Sequence, residues 1–154
     1  MKKRLFGVLI MIGIAAGAKA QTAGQAQLGG RLGLPLGVTG RYWFNDHSGA
    51  EGILGIYNRT VLLTALYEYR FDLSALTING FGWYLGGGAH AGGREIHSKT
   101  EFIGGLDGIA GADYNFPSIP LNLSLDWKPA VHFNHSAELA QFAISVRYTF
   151  SYNK

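Results

Sequence analysis

The sequence predicts an all-β chain: an eight-stranded antiparallel transmembrane β-barrel preceded by a cleavable signal peptide. Three observations predict it. The first twenty residues have the form of an export signal. The rest of the chain alternates apolar and polar residues in eight segments. The polar members of that alternation are mostly small and uncharged, with a few charges of balanced sign.

The signal is residues 1–20. Lys2, Lys3 and Arg4 form a cationic start, Leu5 to Ala18 is an uncharged apolar run, and Ala18-Lys19-Ala20 puts small residues at the cleavage positions. Fourteen apolar residues are too few to anchor the chain across a bilayer. Export through the Sec pathway follows from that form. A short polar lead, 21–25, then precedes a barrel domain over 26–150. The signal removes four of the thirteen basic residues and no acid, which leaves nine basic against ten acidic. The basic excess therefore belongs to the signal, and nucleic acid is not an expected partner. With no cysteine, an exported chain has to hold its fold without disulfides. Charged residues make up 15% of the chain, against about 25% in soluble domains. No window beyond the signal is long and apolar enough for a membrane helix, but strands of about ten residues cross a membrane with a weaker signal each.

Taken in order, strand one is 26–33, with Leu28 and Leu32 against Gln27 and Arg31. Pro35 and Gly37 turn the chain. Strand two, 38–45, sets Val38, Tyr42 and Phe44 against Thr39, Arg41 and Trp43. After a turn at 45–49, strand three spans 50–57, with Leu54 and Ile56 opposite Glu51 and Gly55; Ile53 and Tyr57 blur its pattern. Strand four, 61–71, places Val61, Leu63, Ala65, Tyr67, Tyr69 and Phe71 against Thr64, Glu68 and Arg70. Strand five, 80–90, places Phe81, Trp83, Leu85 and Ala89 against Gly82, Tyr84, Gly86, Gly88 and His90. Residues 91–101 form the longest polar connection. Strand six, 102–115, has an apolar or small even face and carries Asp107, Asp113 and Asn115 on its odd face. A stiff turn at 116–120 leads to strand seven, 121–131, with Leu121, Leu123, Leu125, Trp127 and Val131 against Asn122, Ser124, Asp126 and Lys128. A polar loop at 132–140 precedes strand eight, Gln141 to Phe150, where apolar residues hold every even position. A four-residue turn over 116–119 would set Asp107 directly across from Lys128, both inside.

An even strand count returns both termini to one side, taken as the periplasm. Connections 34–37, 58–60, 91–101 and 132–140 then face outward from the cell, and 45–49, 72–79 and 116–120 face inward. Alternation alone fits a soluble barrel equally well, so the content of the polar face decides. A solvated surface carries many Lys and Glu. Here the polar face is mostly Gly, Ser, Thr and Asn, which suits a narrow interior shared by opposite walls. The strand charges assigned to that interior are Arg31, Arg41, Arg70, Lys128 and Arg147 against Glu51, Glu68, Asp107, Asp113 and Asp126, five of each sign. Buried ions are tolerated when paired and hydrogen-bonded, so an equal count suits a closed polar core. Tyr67, Tyr69, Phe71, Tyr114, Phe116, Tyr148 and Phe150 cluster on the apolar face near the inner strand ends, where membrane barrels carry an aromatic girdle.

Three stretches carry a family resemblance: Gly108 to Phe116, Ile119 to Pro129 and Ile144 to Phe150. They resemble the small outer-membrane β-barrel proteins of Bacteroidetes-type bacteria. The resemblance implies the fold and an outer-membrane location, with Phe150 as the terminal aromatic presented to the outer-membrane assembly machinery. It implies no catalytic residues. Membrane lipids and lipopolysaccharide are the expected surroundings, and a monomer the expected state.

Catalysis in such a barrel, as in a lipid A deacylase or a phospholipase, needs a nucleophile and base held together. His132-Phe133-Asn134-His135-Ser136-Ala137-Glu138 contains every residue type but lies in a loop and lacks the deacylase order His-x-Ser-Asn. His90, His97, His132 and His135 map to the outer rim with Glu95 and Glu138 nearby; they lack the spacing of a zinc motif, and no cofactor is expected. Gly86 to Gly93 is glycine-rich without the Gly-Lys-Ser/Thr of a phosphate loop. With Trp43 and Tyr84 pointing inward, eight strands leave no general pore. The sequence therefore points to a structural or surface-interaction role, with a lipid-modifying enzyme and a carrier of small hydrophobic molecules as the alternatives.

Overall fold

The structure is a computed structural model; it describes residues 24–57, 59–73, 80–133 and 137–151. The expected signal, most of the polar lead, Asn58, the 74–79 turn and Asn134, His135 and Ser136 lie outside the described residues. The strands are β1 (Gln25–Gly33), β2 (Leu36–Trp43), β3 (Ser48–Tyr57), β4 (Thr60–Asp72), β5 (Phe81–Ile96), β6 (Lys99–Asn115), β7 (Leu121–Trp127), β8 (Ala130–His132), β9 (Ala137–Glu138) and β10 (Phe142–Ser151).

They close into one ring. The order is β5-β4-β3-β2-β1-β10-β7-β6, and β6 pairs back onto β5. The first and last strands seal it, antiparallel, from Gln25↔Ser151 to Gly33↔Ala143. β8 continues the β7 wall: the register that pairs Ala110 with Trp127 also pairs Leu106 with Val131. Pro129 has no N–H to give and divides the two pieces. β9 runs beside β8 as β10 runs beside β7. The chain is therefore an eight-strand closed antiparallel barrel.

Period-two alternation puts each strand's polar face in and its apolar face out. On β4, Thr60, Thr64, Glu68 and Arg70 are buried, while Val61, Leu63, Tyr67, Tyr69 and Phe71 are exposed. β7 buries Asn122, Ser124 and Asp126 and exposes Leu123, Leu125 and Trp127.

Four expectations need correction. Residues 91–101 are not a loop. β5 and β6 run on to a two-residue turn at His97 and Ser98, with φ of 48° and 65°. Positive φ at both central residues is the turn that matches strand twist. This hairpin is polar because it extends past the apolar belt. The 132–140 connection likewise contains the end of β8 and all of β9. β2 starts at Leu36 and ends at Trp43, which leaves Phe44 and Asn45 in the turn. Finally, Asn115↔Asn122 sets the β6–β7 register, so Asp107 lies opposite Ala130, two residues from the expected partner. A slip of two preserves the faces, and Lys128 still reaches Asp107 diagonally at 2.6 Å.

Candidate functional site

The interior is the chemically distinctive part of the molecule. All ten strand charges assigned to it from the sequence are buried, with exposures of 0–7%. The structure joins six of them in one network. Arg41 on β2 reaches Glu51 on β3 (3.2 Å), Glu68 on β4 (2.8 Å) and Asp113 on β6 (3.4 Å). β2 and β6 are diametrically opposite in the ring, so this last pair spans the full width of the barrel. Asp113 also accepts from Arg70 at 2.9 Å. Glu51 accepts from Arg147 on β10 at 2.5 Å and from the hydroxyl of Thr39. Arg147 in turn donates to Asn122 (3.1 Å) and Ser124 (2.7 Å). A second unit is the two-pronged pair of Arg31 with Asp126, at 2.7 and 2.8 Å, where the Tyr84 hydroxyl also donates to Asp126 at 3.2 Å. Fork-to-fork geometry of this kind is among the strongest hydrogen-bonded pairings.

Aromatic and aliphatic side chains fill the space between these ions. The Arg41 guanidinium lies 4.5 Å from the Tyr84 ring centre and 5.3 Å from that of Trp43, a cation–π arrangement. Ile53, Leu66, Tyr84 and Ile109 form a buried cluster. Ile53 is the residue that blurs the β3 pattern; it, Leu62, Leu66 and Ile109 are apolar side chains on the polar face. Inward glycines give the large groups room. A Cβ on Gly111 would sit 2.6 Å from Tyr84 Cζ, one on Gly49 2.6 Å from Trp43, and one on Gly105 2.7 Å from His90. Among the described residues, bonds thus cross the interior from wall to wall.

One mouth of the barrel holds a third cluster. Asp107 accepts from Lys128 and pairs with His90 Nδ1 at 2.8 Å. His90 Nε2 lies 2.9 Å from His132 Nδ1. Above them the Tyr57 hydroxyl donates to Glu138 across the mouth at 3.3 Å. Of the rim histidines, the structure thus joins His90 and His132 and leaves His97 at the hairpin tip. Among the described residues no group of three or more His, Cys, Asp or Glu is arranged to hold a metal ion.

In fold the barrel is similar to the crystal structure of the N-terminal β-barrel domain of Pseudomonas aeruginosa OprF. The TM-score is 0.66 at 15% identity, and the match covers 88% of this chain and 100% of that one. No family model and no curated protein matches the sequence. At that identity the likeness shows the fold.

On the outside, the seven girdle aromatics assigned from the sequence all lie at the end that holds both termini. Tyr69 packs edge-on to Phe71, Tyr114 to Phe116 and Tyr148 to Phe150, with centroids 4.6–4.9 Å apart. Tyr67 donates to Ser48 at 2.9 Å. Sequence reasoning left out Tyr42, Phe44 and Trp83, although they share the face. Trp83 stacks on Phe71 at 4.4 Å, and Tyr42 meets Phe44 at 5.7 Å. The signal that would have found them is parity at the strand end.

Proposed function

We propose that this chain is an integral outer-membrane barrel with a structural or surface-interaction role. In this reading it is exported through the Sec pathway, stands as a monomer among membrane lipids and lipopolysaccharide, and is inserted by the assembly machinery through β10 and Phe150. It belongs with the small barrels of Bacteroidetes-type bacteria that its three motif stretches resemble. Plugged by its own ion pairs, it neither conducts solutes nor carries out catalysis.

One observation carries the reading: the wall's middle is apolar on the outside and every strand charge there turns in. Leu32, Val38, Leu54, Leu63, Leu125 and Ile144 are each about half exposed or more, in a belt that water would penalise. From Val61 to Phe71 the outward face of β4 covers ten residue steps. That is ~33 Å along the strand, or ~25 Å of height at a tilt of ~40°, the height of a membrane barrel's apolar band. Exposed charges such as Arg59, Glu95, Lys99 and Glu101 lie beyond it. The likeness to the OprF barrel supports the reading on fold. Membrane fractionation combined with gel migration before and after boiling tests it. The chain is expected in the outer-membrane fraction as a fast-migrating folded band that boiling shifts. Recovery in the soluble fraction with one band would remove the proposal.

A further inference from the structure

We propose that the bond between His90 and His132 is a proton-sensitive latch on the β8–β9 corner of the barrel mouth. The inference concerns the barrel itself and holds whatever surrounds it.

Hydrogen-bond bookkeeping sets the mechanism. Asp107 is already paired with Lys128 at 2.6 Å, and a carboxylate can only accept. His90 Nδ1 therefore carries the proton in its 2.8 Å contact with Asp107. In neutral His90, Nε2 is then an acceptor, and His132 Nδ1 donates to it across 2.9 Å. The contact survives one added proton, because a cationic ring can donate to a neutral one. It does not survive two. Both nitrogens would be donors, and two positive rings whose centroids are 4.8 Å apart would repel.

Among the described residues, the corner that this bond ties down is held by short ladders and a handful of single bonds. β8 has three residue pairs with β6 and two with β9. Pro129 separates β8 from β7. Beyond those pairs, the Phe133 amide bonds to Gly104, the Gly108 amide to Pro129 and the Lys128 amide to Gln141, the Trp127 indole N–H donates to Leu139 at 2.6 Å, and Tyr57 bonds to Glu138. Buried His90 is thus the anchor on the β5 wall, and His132 is the hook on β8. The groups facing the pair are Asp107 from β6, Lys128 and Gln141 from beside β7, Glu138 from β9 and Tyr57 from β3. Arg94 and Glu101 lie on the hairpin above, with Arg31 and Asp126 one layer below. Counting Asp107, Lys128 and Glu138, two added protons take the cluster from a net charge of −1 to +1. Histidine is the side chain that, unperturbed, changes charge between about pH 5 and 8. Acid therefore removes the side-chain tie that reaches over β6 from β5 to β8 and leaves the corner to its three pairs with β6, while the remaining walls stay paired.

The chain has no cysteine, so two introduced ones take nitroxide labels cleanly. Arg59→Cys on the β3–β4 turn and Ala137→Cys on β9 put the labels at exposed rim positions, one on the far side of the mouth and one on the corner itself. Their separation is measured by electron–electron resonance in detergent micelles from about pH 8 to about pH 4.5, beside ring nitrogen shifts of both histidines. A narrow distance at high pH is expected to give way to a longer, broad one when both rings are protonated. His132→Asn and His90→Gln, which keep a hydrogen bond but cannot charge, should each hold one distance throughout. An unchanged wild-type distance overturns the latch, as does opening while either ring is neutral. A variant that keeps the wild-type transition also overturns it. If neither variant folds, the coincidence of ring protonation and opening in the wild type decides alone.

Discussion

Arg41→Met should destabilise the barrel by about 3–5 kcal/mol, the cost of removing one partner from a buried ion pair. The structure says where that cost falls. Methionine keeps an apolar stem against Tyr84 and Trp43, so packing changes little. Asp113 retains Arg70 at 2.9 Å, and Glu51 retains Arg147 at 2.5 Å. Glu68 loses its one described ion pair, 2.8 Å to Arg41, and stays fully buried. The penalty is thus that of a Glu68 carboxyl group left buried without its cation. Urea unfolding in lipid vesicles, followed by loss of the unboiled folded band, reads it out. With a slope of about 2 kcal/mol per molar urea, the midpoint should fall by about 1.5–2.5 M. Adding Glu68→Gln removes the unpaired acid and should restore about half the loss or more, because the two sites share one interaction. A single variant within about 1 kcal/mol of wild type would refute the assigned pairing, as would a double variant no better than the single.

Other outcomes follow from the same geometry. Gly111→Val should abolish the folded band, since its Cβ would meet Tyr84 and Asp126 carbons at 2.6 and 2.8 Å; Gly52→Val, with nothing within 4 Å, should fold normally. Leu63→Arg, at the middle of the outer belt, should cost about 2–4 kcal/mol in bilayers and the same change at Phe71 less, because the penalty depends on depth; equal costs would contradict a bilayer around the belt. Liposomes containing the wild-type chain should not swell in small-sugar solutions, and measurable flux would show that the bonds between Arg41 and Asp113 and between Arg147 and Glu51 leave a path.

Inside and outside were legible in the sequence because a period of two is a local property. Each strand writes its own faces, and the inward assignment of Arg31, Arg41 or Asp126 needed no knowledge of its neighbours. Partners were not legible. Arg41 meets Asp113 across the barrel's diameter, and that depends on ring closure and register, which no single strand encodes. The expected Asp107–Lys128 facing pair shows the limit: parity held, and the turn moved the register by two. Ile53 and Ile109 were obscured for a different reason. A polar interior that also encloses Tyr84 and Trp43 needs apolar filler, and filler breaks the alternation. The β5–β6 hairpin looked like a loop because polar composition marks both loops and strands beyond the belt, and His97-Ser98 lacks the usual Asn-Gly signature.

The distance in sequence between ion partners has a kinetic meaning. Glu51 and Arg147 are 96 residues apart, and Arg31 and Asp126 are 95. Neither pair can form in a growing hairpin, and both need β1 and β10 already side by side. An open intermediate would hold Arg31, Asp126 and Arg147 without these ion partners, although Arg41 can already meet Glu51 and Glu68 on the neighbouring strands. Zipping of the seam and completion of the interior pairing are then one step, slow because its contacts are so non-local. Half a barrel leaves Arg31 and Arg147 waiting for acids that only the closed seam brings within reach.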